Sequence, residues 1–187
     1  LGADMLVLHV DVLSNSAVTA NPSDRCYHCK NTLFRQILRA AENDGFPVLL
    51  DGTNASDDAG DRPGMRALRE LSVRSPLREC GLTKAEIRRL SREAGLFTWD
   101  KPAYACLATR IRTGEEITLQ KLKQTEKAEG FLFGLGFRDF RVRMVDNTAK
   151  LELRETDLPL LLENREKIVT ELRKDYDSVL LNLEVRK

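Results

Sequence analysis

Cys26-Tyr27-His28-Cys29 places two thiols three positions apart, at a turn that enters a helix. Such a pair can share one metal ion, close into a redox disulfide, or have one thiol activated by the helix N-terminus. It can also be two unreactive thiols. Two ligands do not fill a four-coordinate site, and the further candidates are Cys80, Cys106, His9 and His28. Three thiolates and one imidazole would suit zinc. Three thiolates around an iron–sulfur cluster would leave one iron open to another ligand. Spacing alone does not choose between these.

Asp51-Gly52-Thr53-Asn54 follows the apolar run Val48-Leu49-Leu50. In parallel α/β sheets, ligands bind just beyond the carboxyl ends of strands. Gly52 would let backbone approach a nucleotide, and Asp51, Thr53 and Asn54 would offer hydrogen bonds to ribose or base. An ordinary strand-ending turn has the same composition. Arg62, in Asp61-Arg62-Pro63-Gly64, could meet a phosphate or stay solvated. Arg110 and Arg112 follow Cys106 closely; a guanidinium beside a thiol favours thiolate and can clamp a phosphate or carboxylate. Arg141 and Arg143 flank Val142 on a strand, so both point to one face as an anion site or as a solvated surface. Glu129, among other charges on a long helix, reads as a surface residue.

These residues need a scaffold. Residues 6–13 read as a buried strand, and Leu33, Ile37, Leu38, Ala40 and Ala41 recur at helical spacing until Gly45-Phe46-Pro47. Residues 48–50 read as a second buried strand, which suggests a βαβ unit in a parallel sheet. Residues 57–64 read as a surface loop, 65–71 as a short helix and 75–77 as an extended connector. Thr83 and Glu86 have capping-box spacing before a helix ending near Gly95. Residues 99–114 are irregular. After Gly114 the order is a helix over 118–135, strands over 140–145 and 149–153 joined at Asp146-Asn147, a helix over 158–172 and a strand over 179–185. The expected fold is therefore α/β: a parallel-sheet domain over 1–114, then a small α+β domain over 115–187.

The chain has 187 residues and a formal net charge of +1, with 42% apolar and 32% charged residues. That balance is globular and argues against a protein that coats nucleic acid. No apolar run approaches the roughly 20 residues needed to span a bilayer, and no secretory leader is recognisable. A cytoplasmic protein is expected, in which thiols serve metal binding or catalysis before disulfides. The strand-like start at Leu6 suggests that a larger protein continues upstream of Leu1.

Taken in order, Asp24-Arg-Cys-Tyr-His-Cys-Lys30, Asp51-Gly-Thr-Asn-Ala-Ser-Asp57, Asp61-Arg-Pro-Gly64, Ser75-Pro-Leu77, Gly81-Leu-Thr-Lys84 with Glu86-Ile-Arg88, and Trp99-Asp-Lys-Pro-Ala-Tyr-Ala-Cys-Leu-Ala-Thr-Arg110 resemble the LarE family. Leu135-Gly-Phe137 and Arg141-Val-Arg143 extend the resemblance into the second domain. These are ATP-dependent sulfur transferases of the PP-loop, adenine nucleotide α-hydrolase-like, superfamily. The resemblance implies a pyridinium-3,5-dicarboxylate mononucleotide substrate, ATP and Mg2+, and synthesis of the nickel-pincer nucleotide of lactate racemase. Each carboxylate would be adenylated and then converted by sulfur to a thiocarboxylate. It also implies a three-cysteine [4Fe-4S] route on Cys26, Cys29 and Cys106, held close together, rather than one sacrificial cysteine. Cys80 falls outside the pattern and is left as a core thiol. Asp51, Gly52, Thr53, Asn54 and Arg62 would bind nucleotide. Arg110, Arg141 and Arg143 would bind substrate phosphate, and Glu129 matches an acidic active-centre position, a candidate metal ligand. The family tends to form hexamers. The Ser-Gly-Gly-x-Asp-Ser pyrophosphate cradle of the superfamily is absent from this sequence. Other readings are a transfer-RNA thiolase or ammonia-using synthetase of the same superfamily, and a zinc-stabilised binding domain without catalysis.

Overall fold

A computed structural model describes residues 4–57 and 62–186. The chain divides into two compact units, Leu1–Lys101 and Pro102–Lys187. The division falls earlier than the compositional change at Gly114.

The first unit is helical. After a short 3-10 turn at Val12–Ser14 come α1 (Ser16–Thr19), α2 (Arg25–Asn43), α3 (Pro63–Glu70), α4 (Pro76–Glu79) and α5 (Lys84–Glu93). Local signals set their ends. Gly45, at φ +80°, closes α2: its N–H donates to Glu42 O at 3.1 Å and Phe46 N–H to Ala41 O at 2.8 Å, the double bond of a Schellman stop. Pro63 opens α3 and Pro76 opens α4, where a missing N–H costs nothing. Thr83 and Glu86 form the expected capping box. Helices α2 and α3 are joined by Tyr27 Oη donating to Glu70 Oε2 at 2.7 Å, with the Arg66 guanidinium 4.1 Å from the Tyr27 ring centroid.

Four expectations are corrected in this unit. Of the expected strand over 6–13, residues 6–11 have no ladder and expose Leu6 and Val7, and Val12–Ser14 is a 3-10 turn. An extended segment becomes a strand only when a neighbour completes its backbone hydrogen bonds, and none does so among the described residues. Residues 48–50 do not pair with 6–13 as expected; their one bridge is parallel and joins Leu50 to Arg74 instead. Asp51 N–H donates to Arg74 O and Arg74 N–H to Leu49 O, each at 2.9 Å, with α3 as the crossover. Val48 and Leu50 remain largely exposed. The stretch 75–77 is not an extended connector, because Pro76 starts a turn of helix. Of the expected loop over 57–64, Pro63 and Gly64 already belong to α3, and 58–61 lie outside the described residues.

The second unit has the expected αββαβ order. Thr118 caps α6 (Leu119–Gly134), accepting from Lys121 N at 3.2 Å. Strands β1 (Arg141–Val145) and β2 (Thr148–Glu152) form a hairpin turning at Asp146, whose φ is +52°. β3 (Ser178–Leu181) pairs parallel with β2, giving a mixed sheet of order β1-β2-β3. The helical stretch before β3 is broken at Asn164 into α7 (Leu158–Glu163) and α8 (Arg165–Leu172). The Asn164 amide donates back to Leu160 O at 3.0 Å. Leu132, Phe137, Val142, Leu151 and Ile168 anchor a continuous apolar core. The molecule is thus α/β, with its small sheet in the second unit.

Candidate functional site

In the first unit, Cys26 and Cys29 occupy the first turns of α2. Cys26 is exposed and Cys29 half-buried, both as thiols. Lys30 follows Cys26 by four positions, so both side chains share one helix face. The start of α3 meets that face at Gly64. A Cβ at Gly64 would lie 3.2 Å from Lys30 Cδ, 3.3 Å from Lys30 Cε and 3.7 Å from Cys26 Cβ. Beside this contact lies an open cleft of about 360 Å³ lined by Cys26, Lys30, Thr53, Asp57, Arg62 and Gly64, among others. The Cys26 motif and the two neighbouring motifs that hold Thr53 and Arg62 therefore line one cleft. Arg25 Nη2 lies 3.6 Å from Cys26 Sγ.

The loop after Leu50 is shaped by its own side chains. Asp51 accepts from Ser75 Oγ at 2.6 Å, Thr53 Oγ1 at 2.5 Å and Thr53 N at 3.2 Å. Burial opposes ionisation of Asp51, but these bonds and the nearby Lys30 charge outweigh it and hold the carboxyl below its usual range. Asn54 Oδ1 accepts from Ser56 N at 2.9 Å, and Asn54 N donates to Asp57 Oδ2 at 2.9 Å. Gly52 is exposed with open space around it. Thr53 and Arg62 face the cleft, whereas Asp51 and Asn54 form the loop behind it.

In the second unit the reading of Glu129 as a surface residue is overturned: this helix residue is completely buried. Its carboxylate is a hub. Oε1 accepts from Arg110 Nε at 2.6 Å and from Val142 N at 2.9 Å. Oε2 accepts from Tyr104 Oη at 2.6 Å and Arg110 Nη2 at 3.0 Å. β1 is the first strand of the sheet, bridged on its outer side by Ile111 at Met144, and Glu129 satisfies the buried Val142 N–H on that strand. All four lone-pair positions of the carboxylate are thereby used by protein donors, so the arrangement does not fit a metal ion at Glu129.

Arg110 is 1% exposed and is turned inward onto Glu129; its Nη1 donates to Thr109 Oγ1 at 2.8 Å. Arg141 is also buried, donating to Phe140 O at 2.6 Å and Ala103 O at 2.8 Å. Burial, then repulsion from Arg110 and Arg186, moves its pKa down. Arg143, with its side chain 42% exposed, donates to Glu152 Oε1 and Thr109 O, each at 2.7 Å. Cys106 is exposed and precedes the 3-10 turn Leu107–Arg110. Cys80, expected as a core thiol, is exposed at the end of α4.

Sequence reasoning missed Lys30 and Tyr104. The four-residue spacing from Cys26 signals the first; nothing local signals the second. For a shared metal, Cys26 and Cys29 suit two thiolate positions of one site, and Cys106 belongs to the second unit. Neither unit by itself gathers three His, Cys, Asp or Glu side chains able to hold a metal among the described residues. No helix among those residues is long and apolar enough to cross a membrane.

No family model matches the chain. It is 41% identical over 147 residues to an uncharacterized protein of Synechocystis sp., covering 79% of this chain and 55% of that protein. It is 33% identical over 180 residues to an uncharacterized protein of Methanocaldococcus jannaschii, covering 95% of this chain and 70% of that one. It is 34% identical over 155 residues to the pyridinium-3,5-bisthiocarboxylic acid mononucleotide synthase of Lactiplantibacillus plantarum, covering 83% of this chain and 56% of the synthase. The chain thus spans little more than half the length of the cyanobacterial protein and of the synthase.

Proposed function

The chain belongs to one family with the Methanocaldococcus jannaschii protein, and from that premise and the homologous synthase we propose that it is part of an ATP-dependent sulfur transferase acting on a carboxylated pyridinium mononucleotide. The observation that carries the reading is the cleft in which Cys26 meets Lys30, Thr53 and Arg62. A thiol, two cations and a hydroxyl suit a phosphorylated substrate beside a sulfur centre.

The chemistry follows from the poor electrophilicity of a carboxylate. Attack of a carboxylate oxygen on the ATP α-phosphorus releases pyrophosphate and gives an acyl-adenylate. An anionic sulfur then attacks the acyl carbon and expels AMP, leaving a thiocarboxylate. Mg2+ would accompany ATP. In this chain, Lys30 and Arg62 would neutralise phosphate charge, with Thr53 hydrogen-bonding the nucleotide on a loop fixed by Asp51, Gly52 and Asn54. Arg143, at the surface, would meet the substrate phosphate. Arg110 and Arg141 would support that contact from the interior, and Glu129 would hold Arg110 rather than a metal. Cys26, Cys29 and Cys106 would ligate a [4Fe-4S] cluster, which when bound supplies sulfide on an iron that lacks a protein ligand. A homo-oligomer and a cytoplasmic setting belong to the same reading.

Anaerobic purification of the full-length protein, with iron, zinc and acid-labile sulfide quantified, tests it. We expect about four irons and four sulfides per chain, both reduced to near background in Cys26→Ser, Cys29→Ser and Cys106→Ser. Mass spectrometry after turnover should find all three cysteines intact; a Cys106 lacking sulfur would replace the cluster route by the sacrificial one. Stoichiometric zinc without sulfide, together with no ATP-dependent thiocarboxylate, would overturn the proposal.

A further inference from the structure

Cys106 lies in an exposed segment whose two flanks are both tied to buried groups. Upstream, Arg141 Nη2 donates to Ala103 O at 2.8 Å and Tyr104 Oη donates to Glu129 Oε2 at 2.6 Å. Downstream, Arg143 Nη1 donates to Thr109 O at 2.7 Å. The carbonyl of Cys106 itself ends a relay. Glu129 holds Arg110, Arg110 Nη1 donates to Thr109 Oγ1 at 2.8 Å, and Thr109 Oγ1 donates to Cys106 O at 2.7 Å. Thr109 N adds a second bond to that carbonyl at 2.9 Å.

Within this clamp Tyr104 has a separable part. Its ring packs on Phe133 at 5.7 Å between centroids, and the guanidinium carbons of Arg110 and Arg141 lie 5.3 and 5.8 Å from its own centroid. Those contacts belong to the ring. The hydroxyl contributes the one bond to Glu129, two residues before the cysteine. We infer that Tyr104 is a positioning residue: its hydroxyl, acting through Glu129, fixes the upstream half of the segment and so the place of the Cys106 sulfur. Arg143 does the same downstream through Thr109 O. The importance of that placement rests on the reading of Cys106 as a sulfur-handling thiol. A ligand thiolate displaced by about 1 Å falls outside the few tenths of an ångström that metal–ligand distances tolerate.

The test places a nitroxide on Cys106 in the intact chain, with Cys26, Cys29 and Cys80 each replaced by Ser, and reads its mobility by electron paramagnetic resonance. The parent should show a restricted label. Tyr104→Phe, which keeps the ring, should raise the ratio of mobile to immobile label by roughly tenfold, the lower end of the scale set by losing one hydrogen bond to a charged group. A second label at Lys150→Cys on β2 should not change. An unaltered line shape at Cys106 overturns the inference, and so does an equal loosening at both labels, which would report general loss of structure. Turnover is not involved, so failure of the sulfur-transfer reading would leave this result standing.

Discussion

Glu129 and Arg110 form a buried pair, each side chain 1% exposed. Taking both out of water costs several kcal/mol, repaid only when every lone pair and donor is matched. Here the match is complete on the carboxylate side, which makes the pair intolerant of losing one member. Glu129→Ala leaves a guanidinium stranded in the core and Val142 N–H on β1 without its acceptor. We expect a loss of about 3–5 kcal/mol, read as a lower midpoint in urea denaturation. Tyr104→Phe should cost only about 1–2 kcal/mol by the same measurement, because its ring stays packed and its carboxylate partner keeps three donors. Equal losses in the two variants would contradict this account of the hub.

At the scale of elements, α2 and α3 approach one another through Gly64. Gly64 is the second residue of α3, so Gly64→Ala should gain part of the roughly 1 kcal/mol that Ala holds over Gly in a helix interior. Against that, the new Cβ would lie 3.2 Å from Lys30 Cδ, and the far part of a lysine can swing aside. The expected outcome is a melting temperature unchanged or slightly raised, with the Lys30 side chain displaced within the cleft it lines together with Cys26. Alkylation of Cys26, measured by mass spectrometry against Cys80 in the same molecule, should therefore change in rate. A lower melting temperature with an unchanged Cys26 rate would mean that the close approach stabilises the fold and has no bearing on the thiol. Helix ends such as the Thr83–Glu86 box and the Thr118 cap are legible in the sequence because every partner is within one turn. The strands expected over 6–13 and 48–50 were not, because a ladder depends on a neighbour far along the chain, and apolar alternation does not name it. Glu129 is illegible for the same reason: it resembles the other charges of α6 until Arg110 and the edge of β1 are folded against it. Cys26, Thr53 and Arg62 could be nominated singly from their motifs, but the Gly64 contact that gathers them involves two helices.

The two units differ in how their interiors are built. The second unit has a continuous core in which α6, the sheet and α8 contribute Leu132, Val142, Leu151 and Ile168, each nearly inaccessible. In the first unit the buried apolar residues among those described are Val18, Ala67, Leu68 and Val73. Its long helix α2 buries none of its residues fully, and Met5, Leu6, Phe46, Val48 and Leu50 stay exposed. Burial contributes roughly 25 cal/mol per Å² of apolar surface, so resistance to local opening should follow this distribution. Native-state hydrogen exchange of the chain should find the slowest amides in α6, β1 and β2. Amides of α2 and α3 should open at lower free energy and at lower denaturant concentration. Their exchange should also show a smaller dependence on denaturant, because less buried surface is uncovered when they open. A first unit as protected as the sheet, with one common unfolding transition, would show that its helices draw stability from contacts beyond their own apolar packing.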